Sequence, residues 1–297
     1  MINDARPLFE GAATAMVTPF KSGNVDFDSM GKLIDRQIQA GISALIVCGT
    51  TGEAPTLSFE EWKACIEFSV RRVNGRIPVI AGSGSNCTQK AVELSKAAEH
   101  VGADGLLVVT PYYNKASSEG LVKHYSAISG NVNIPIILYN VPSRTGVDIP
   151  LDVYCKLSID EKIVAVKEAS GSVFSAKKII SECGDRLQVY SGNDDIVCEM
   201  MNVGALGCIS VASNIIPEVM VDMCQKNLSN ETNSAQNIMN EWTDLIKALF
   251  CEVNPIPVKY AMQVMGLCDG ELRLPLCQPC EEVAKRIKKT LKDHCLI

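Results

Sequence analysis

The chain has 297 residues, 47% of them hydrophobic and 21% charged, which suffices for one large core or two small ones. Its 28 basic and 34 acidic residues leave a net charge of -6. The single basic cluster, Lys285, Arg286, Lys288, Lys289 and Lys292, reads as the solvated face of a last helix, so no nucleic-acid partner is expected.

No apolar stretch approaches the ~20 residues of a membrane helix, and Met1–Glu10 lacks the apolar run of a secretion signal. Thirteen cysteines at irregular spacing make a poor disulfide framework. These features point to a cytoplasmic protein with no membrane partner. Cys277 and Cys280 form an isolated CxxC without a second pair, and His100, His124 and His294 lie far apart. Neither pattern has metal-ligand spacing, so no metal is expected.

In chain order, short apolar runs occur at 13–17, 44–48, 78–82, 105–109, 135–139, 163–167, 187–191 and 207–211. Most are rich in β-branched residues, and both of their alternating faces are apolar, as in strands buried between two layers. Between them the spacing predicts helices over 27–40, 58–73, 88–101, 118–130, 151–157, 173–183, 194–203 and 216–227. The second opens on Ser58-Phe59-Glu60-Glu61, a capping box. Eight strand–helix units over residues 1–228 suit a (β/α)8 barrel, whose usual size is ~250 residues. An open doubly wound sheet would place a GxGxxG turn after the first strand, and Met16-Val17-Thr18-Pro19 supplies none. The polar stretch 227–234 reads as a linker. Residues 229–297, with helical patterns at 235–251 and 279–294, read as a C-terminal helical extension.

Barrel enzymes carry their chemistry at the C-terminal strand ends. Lys167 ends the run Ile163-Val164-Ala165-Val166, and alternation sets it on one face with Ile163 and Ala165. If that face is the barrel interior, the lysine is held from water and its amine is more often neutral, as a nucleophile must be. By itself Lys167 reads equally as a strand-end residue paired with Glu168. Tyr139 ends the preceding strand and could pass a proton beside it, or be a plain core tyrosine. Arg144, in the loop Pro142–Gly146, offers a fork for a carboxylate, or is a surface arginine. Gly49-Thr50-Thr51-Gly52-Glu53 brings two hydroxyls to a strand end, as anion donors or as a simple turn. Tyr112 and Tyr113 follow the fourth strand, Gly192 follows the seventh, and Ile209 lies in the eighth.

The segments GTTGE (49–53), TPYYN (110–114), YNVPSRTG (139–146), VKEASG (166–171), SGND (191–194) and GCISV (207–211) resemble the dihydrodipicolinate synthase family, in order along nearly the whole chain. The resemblance implies condensation of pyruvate with L-aspartate-4-semialdehyde to 4-hydroxy-tetrahydrodipicolinate, on the route to diaminopimelate and lysine. It implies no cofactor beyond a pyruvate imine on Lys167, with Tyr139 moving protons. Thr50 would link Tyr139 to Tyr113 of a neighbouring subunit in a homotetramer, a dimer of dimers. Thr51 would hold the pyruvate carboxylate, Arg144 the semialdehyde carboxylate, and Gly192 and Ile209 would line the pocket. Many family members are inhibited by lysine at positions matching Phe59, Trp62, Asn86 and Lys90. A carboxylate stands in lysine-sensitive members where this chain has Lys90, so weak or absent inhibition is expected.

Two rival readings remain. Sister Schiff-base enzymes, N-acetylneuraminate lyase and keto-deoxy sugar-acid aldolases, resemble parts of the pattern, but their polyhydroxyl substrates do not call for one cationic clamp such as Arg144. A non-catalytic ligand-binding barrel would be expected to lose Lys167, Tyr139 or the Thr50–Tyr113 pair, and all are present.

Overall fold

The aliphatic runs are too short for helices and too apolar for loops, so they become strands covered on both faces. The computed structural model describes residues 7–297; of the Met1–Glu10 stretch read for a leader, residues 1–6 lie outside it. β1 (Gly11–Ala15) is followed by a small antiparallel hairpin of β2 (Phe20–Lys21) and β3 (Asn24–Val25). Then come β4 (Ala44–Val47), β5 (Val79–Gly82), β6 (Gly105–Val109), β7 (Ile136–Asn140), β8 (Ile163–Glu168), β9 (Gln188–Ser191) and β10 (Gly207–Ser210). β1 and β4 to β10 pair in parallel in chain order, and β10 returns to β1 to close the barrel. At that seam Gly207 has φ +153°, and a Cβ there would lie 1.8 Å from the Gly11 carbonyl oxygen, so the strands close only with glycine in place.

The crossovers carry α1 (Phe27–Gln39), α2 (Phe59–Val73), α3 (Thr88–His100), α4 (Ser118–Ser129), the single turn α5 (Pro142–Thr145), α6 (Leu151–Leu157), α7 (Val173–Cys183), α8 (Val197–Asn202) and α9 (Pro217–Leu228). The capping box at α2 forms as expected: Ser58 Oγ accepts from the Glu61 amide and the Glu61 carboxylate from the Ser58 amide. Alternation divides the apolar residues between two cores. Leu45, Val47, Leu138 and Val166 face the helices, whereas Ile46, Ile80, Ile137 and Ala165 fill the barrel.

Local details differ from the sequence reading. The pairing of β7 with β8 slips between Ile136 and Ile137, so Ile163 joins the outer core and only Ala165 shares the interior with Lys167. The stretch 227–234 is mostly helical. Asn227 is buried on α9 and bonds back to the Met223 carbonyl, and α10 (Thr232–Leu249) begins after a three-residue break. A further helix, α11 (Ile256–Val264), precedes α12 (Glu281–Asp293). α10 packs on α9, and α11 and α12 pack together.

Candidate active site

β7 and β8 run side by side with Tyr139 opposite Lys167 and Asn140 opposite Glu168. The first pair points into the barrel and the second outward. Lys167 is 6% exposed, and its Nζ lies 4.5 Å from the centroid of the Tyr139 ring. The amine thus meets the electron-rich face of a phenol inside the barrel mouth. Glu168 does not pair with it. The Glu168 carboxylate accepts from Asn140 Nδ2 at 3.0 Å, the Tyr154 hydroxyl at 3.3 Å and the Ser170 amide at 2.7 Å. Burial pushes its carboxyl above the usual range, against the hydrogen bonds from Ser170 and Asn140.

Beyond β9, Gly192 leaves room for the lysine. A Cβ at 192 would stand 3.1 Å from Lys167 Cε and 2.6 Å from Ala169 Cβ. Asp194 is buried, and one carboxylate oxygen caps the Val211 and Ala212 amides at 2.9 Å each, which holds the turn after β10. Burial raises its carboxyl, while hydrogen bonds from Ser210 and those amides, and the charge of Lys167, oppose the rise. Ile209 lies in the same interior cluster as Tyr139.

A cavity of about 350 Å³ opens at this mouth, walled by Thr50, Tyr139, Val141 and Arg144 among others, and by Phe59, Trp62 and Lys90. Arg144 lies in the turn α5, which closes on Gly146 at φ +69°. Thr51 is 2% exposed, and its hydroxyl accepts from Asn254 Nδ2 at 3.0 Å. The Arg144 guanidinium donates to the Asn254 carbonyl at 3.3 Å. Asn254 therefore touches both residues expected to bind carboxylates, and its own Oδ1 is buried without a partner.

Sequence reasoning missed Asn254, which precedes α11 and has no local signal of function. It also missed Lys259 on α11, whose Nζ lies 2.6 Å from Glu53 of the GTTGE segment. Lys167, Tyr139, Gly192 and Ile209 come together in the barrel mouth, and Thr50 and Arg144 share the cavity wall with Tyr139. Tyr113 does not join them within the single chain. It is 91% exposed, on a backbone with φ +72°. Among the described residues no cluster of three or more His, Cys, Asp or Glu side chains could hold a metal.

Fold and site define the class first: (β/α)8-barrel proteins with an interior lysine beside a tyrosine at the C-terminal mouth. Residues 8–294 match the dihydrodipicolinate synthetase family, and the chain belongs to that family. It is 46% identical over 287 residues to the 4-hydroxy-tetrahydrodipicolinate synthase of Clostridium novyi (strain NT), covering 97% of each chain. The structure of dihydrodipicolinate synthase from Aquifex aeolicus superposes with a TM-score of 0.96 at 45% identity, over 97% of this chain and 99% of that one. The chloride-inhibited dihydrodipicolinate synthase from Acinetobacter baumannii, complexed with pyruvate, superposes with a TM-score of 0.95 at 45% identity over the same shares.

Proposed function

We propose that this protein is a lyase that condenses pyruvate with L-aspartate-4-semialdehyde to 4-hydroxy-tetrahydrodipicolinate, through an imine on Lys167. The observation that carries the reading is the amine of Lys167, buried inside the barrel against the ring of Tyr139, which itself walls a cavity together with Thr50 and Arg144. In its neutral form Nζ attacks the keto carbon of pyruvate. Two protons move to the former keto oxygen, water leaves, and the C=N bond forms. Transfer of a proton from the methyl group to the imine nitrogen gives an enamine, whose carbon bonds to the aldehyde carbon of the second substrate as the nitrogen's proton passes to the aldehyde oxygen. The amino group of that substrate then attacks the imine carbon, closes the ring and frees Lys167, so the overall reaction releases one water.

Tyr139 is the proton-transfer group, a role that commonly contributes about 10²–10⁴-fold. Thr51 holds the pyruvate carboxylate and Arg144 the carboxylate of the semialdehyde, while Gly192 and Ile209 shape the wall. No further cofactor takes part. Tyr113 and Thr50 complete the proton path when a second copy supplies Tyr113; the homotetramer, a dimer of dimers, is carried over from the family resemblance. Residues 1–228 form the catalytic barrel and 229–297 its helical extension. The protein works in the cytoplasm; among the described residues no helix is long and apolar enough to cross a membrane.

Borohydride reduction in the presence of pyruvate, followed by peptide mass spectrometry, tests the chemistry. An adduct on Lys167 is expected, and an unmodified Lys167 removes the mechanism. Turnover with aspartate semialdehyde but not with N-acetylneuraminate is expected; the reverse preference would assign the sister lyase reaction instead.

A further inference from the structure

Glu53 and Lys259 form a 2.6 Å ion pair with both side chains 0% exposed. The two residues are 206 positions apart in the chain. Taking two charges out of water is costly, and well-packed apolar side chains often hold a structure as firmly. Stability alone is therefore a weak reason for such a pair. The geometry around it gives a better one. Lys259 Nζ also donates to the Thr18 carbonyl at 2.9 Å and lies 4.3 Å from the Phe20 ring centroid. The second Glu53 oxygen accepts from the Arg273 amide at 3.2 Å. Each charge is held by several chain segments at once.

What they hold is the turn Gly49–Glu53. Within it the Glu53 amide bonds to the Thr50 carbonyl at 3.1 Å, and the Gly52 carbonyl accepts from the Thr18 hydroxyl at 2.7 Å. Glu53 sits at φ +53°, a left-handed conformation that a non-glycine residue keeps only when its surroundings impose it. A little over one helical turn before Lys259, Asn254 donates to the Thr51 hydroxyl. The segment around the start of α11 thus grips the turn twice, by the Glu53 carboxylate and by the Thr51 side chain.

We propose that Glu53 and Lys259 are positioning residues that lock the Gly49–Glu53 turn to α11, set the Thr51 hydroxyl for the keto-acid carboxylate, and so give the C-terminal helices control of pyruvate affinity. The inference rests on the function proposed above.

The test uses the full-length protein and pyruvate. Glu53→Gln/Lys259→Met removes both charges together, and Glu53→Gln alone keeps an acceptor for the Arg273 amide. Circular dichroism shows which variants fold. In a folded variant KM for pyruvate should rise about tenfold, the scale of one hydrogen bond to a charged group. KM for the semialdehyde and turnover at saturating pyruvate should move less than about threefold. A folded variant whose pyruvate KM stays within about twofold of the parent overturns the proposal, as does an equal loss in every parameter. Amide exchange on the unaltered protein is a second check that needs no variant. Saturating pyruvate should slow exchange in 49–53 and in 254–259 together, and protection confined to 49–53 also overturns it. If the unaltered protein yields no borohydride adduct on Lys167, the function reading itself fails, and the inference falls with it.

Discussion

Gly192→Ala probes whether the lysine stem truly lies against the backbone after β9. The new Cβ would stand 2.6 Å from Ala169 Cβ, and 3.1 Å from both the Glu168 carbonyl oxygen and Lys167 Cε. Carbon atoms rest about 3.5–4.0 Å apart, so the first contact is roughly 1 Å too close. The backbone walls are anchored: the Ala169 amide bonds to the Asn140 carbonyl at 2.9 Å and the Gly192 amide to the Glu168 carbonyl at 2.8 Å. The most yielding neighbour is the flexible stem of Lys167. Overpacking of this kind costs about 1–3 kcal/mol, and at this chain length each kcal/mol lowers Tm by roughly 2–4 °C. A reacting atom misplaced by about 1 Å loses about a hundredfold in rate. The Lys167 Cε contact is about 0.4–0.9 Å too close, so borohydride trapping of pyruvate should slow by roughly one to two orders of magnitude, with a fall in Tm of a few degrees. Rapid-quench trapping read by intact mass, beside a thermal melt, measures both. A variant that traps pyruvate at the parent rate would refute the placement of Lys167, whatever its Tm.

Arg144→Ala should raise KM for the semialdehyde by roughly 10–100-fold, the value of a charge-assisted hydrogen bond, while pyruvate trapping stays near the parent rate; equal damage to both steps would count against the clamp. Lys90 lines the same cavity as Trp62 and Phe59, and at close range its ammonium repels a cationic effector by about 1 kcal/mol or more. A coupled assay should accordingly show little inhibition by sub-millimolar L-lysine, and strong inhibition there would disprove the argument. Burial holds the His124 imidazole down at about 4, against an ordinary 6.5. Between those values the unfolded chain binds a proton that the folded chain refuses. Stability from this group is therefore lost as pH falls from 6.5 towards 4, by up to about 1.4 kcal/mol per unit. His124→Asn should flatten that slope in urea melts, and identical slopes in parent and variant would show that His124 does not titrate this way.

The barrel was legible because each strand is a short apolar run and each crossover an amphipathic one, and both periods survive in the sequence. Lys167 stood out because a charge ending IVAV has to face something specific. The face of Ile163 was misread because the slip at Ile136–Ile137 adds a residue to the pairing without changing the residue types. The stretch 227–234 looked like a linker by composition, yet Asn227 caps a turn of helix from within, bonding to Met223. The sequence IPVKYAMQV of α11 is too short and evenly apolar for its period to show. Long-range partners left no trace at all. Nothing near Glu53 in the chain announces Lys259, and nothing near Thr51 announces Asn254, because each contact exists only once the tail has folded onto the barrel mouth.

The two buried lysines differ in what surrounds them. Burial lowers the Lys259 amine below the ordinary lysine range, and the Glu53 carboxylate opposes the shift. With that carboxylate at 2.6 Å and the Thr18 carbonyl at 2.9 Å, two of its three donors are committed to the protein, and the Phe20 ring centroid lies 4.3 Å away. An amine so engaged has neither a free lone pair nor space for a ketone. Lys167 instead meets the ring of Tyr139, a residue of the cavity wall, and the gap left by Gly192. Two identical side chains, 6% and 0% exposed, thus differ in their partners, and on the proposed mechanism borohydride with pyruvate should modify Lys167 while leaving Lys259 untouched.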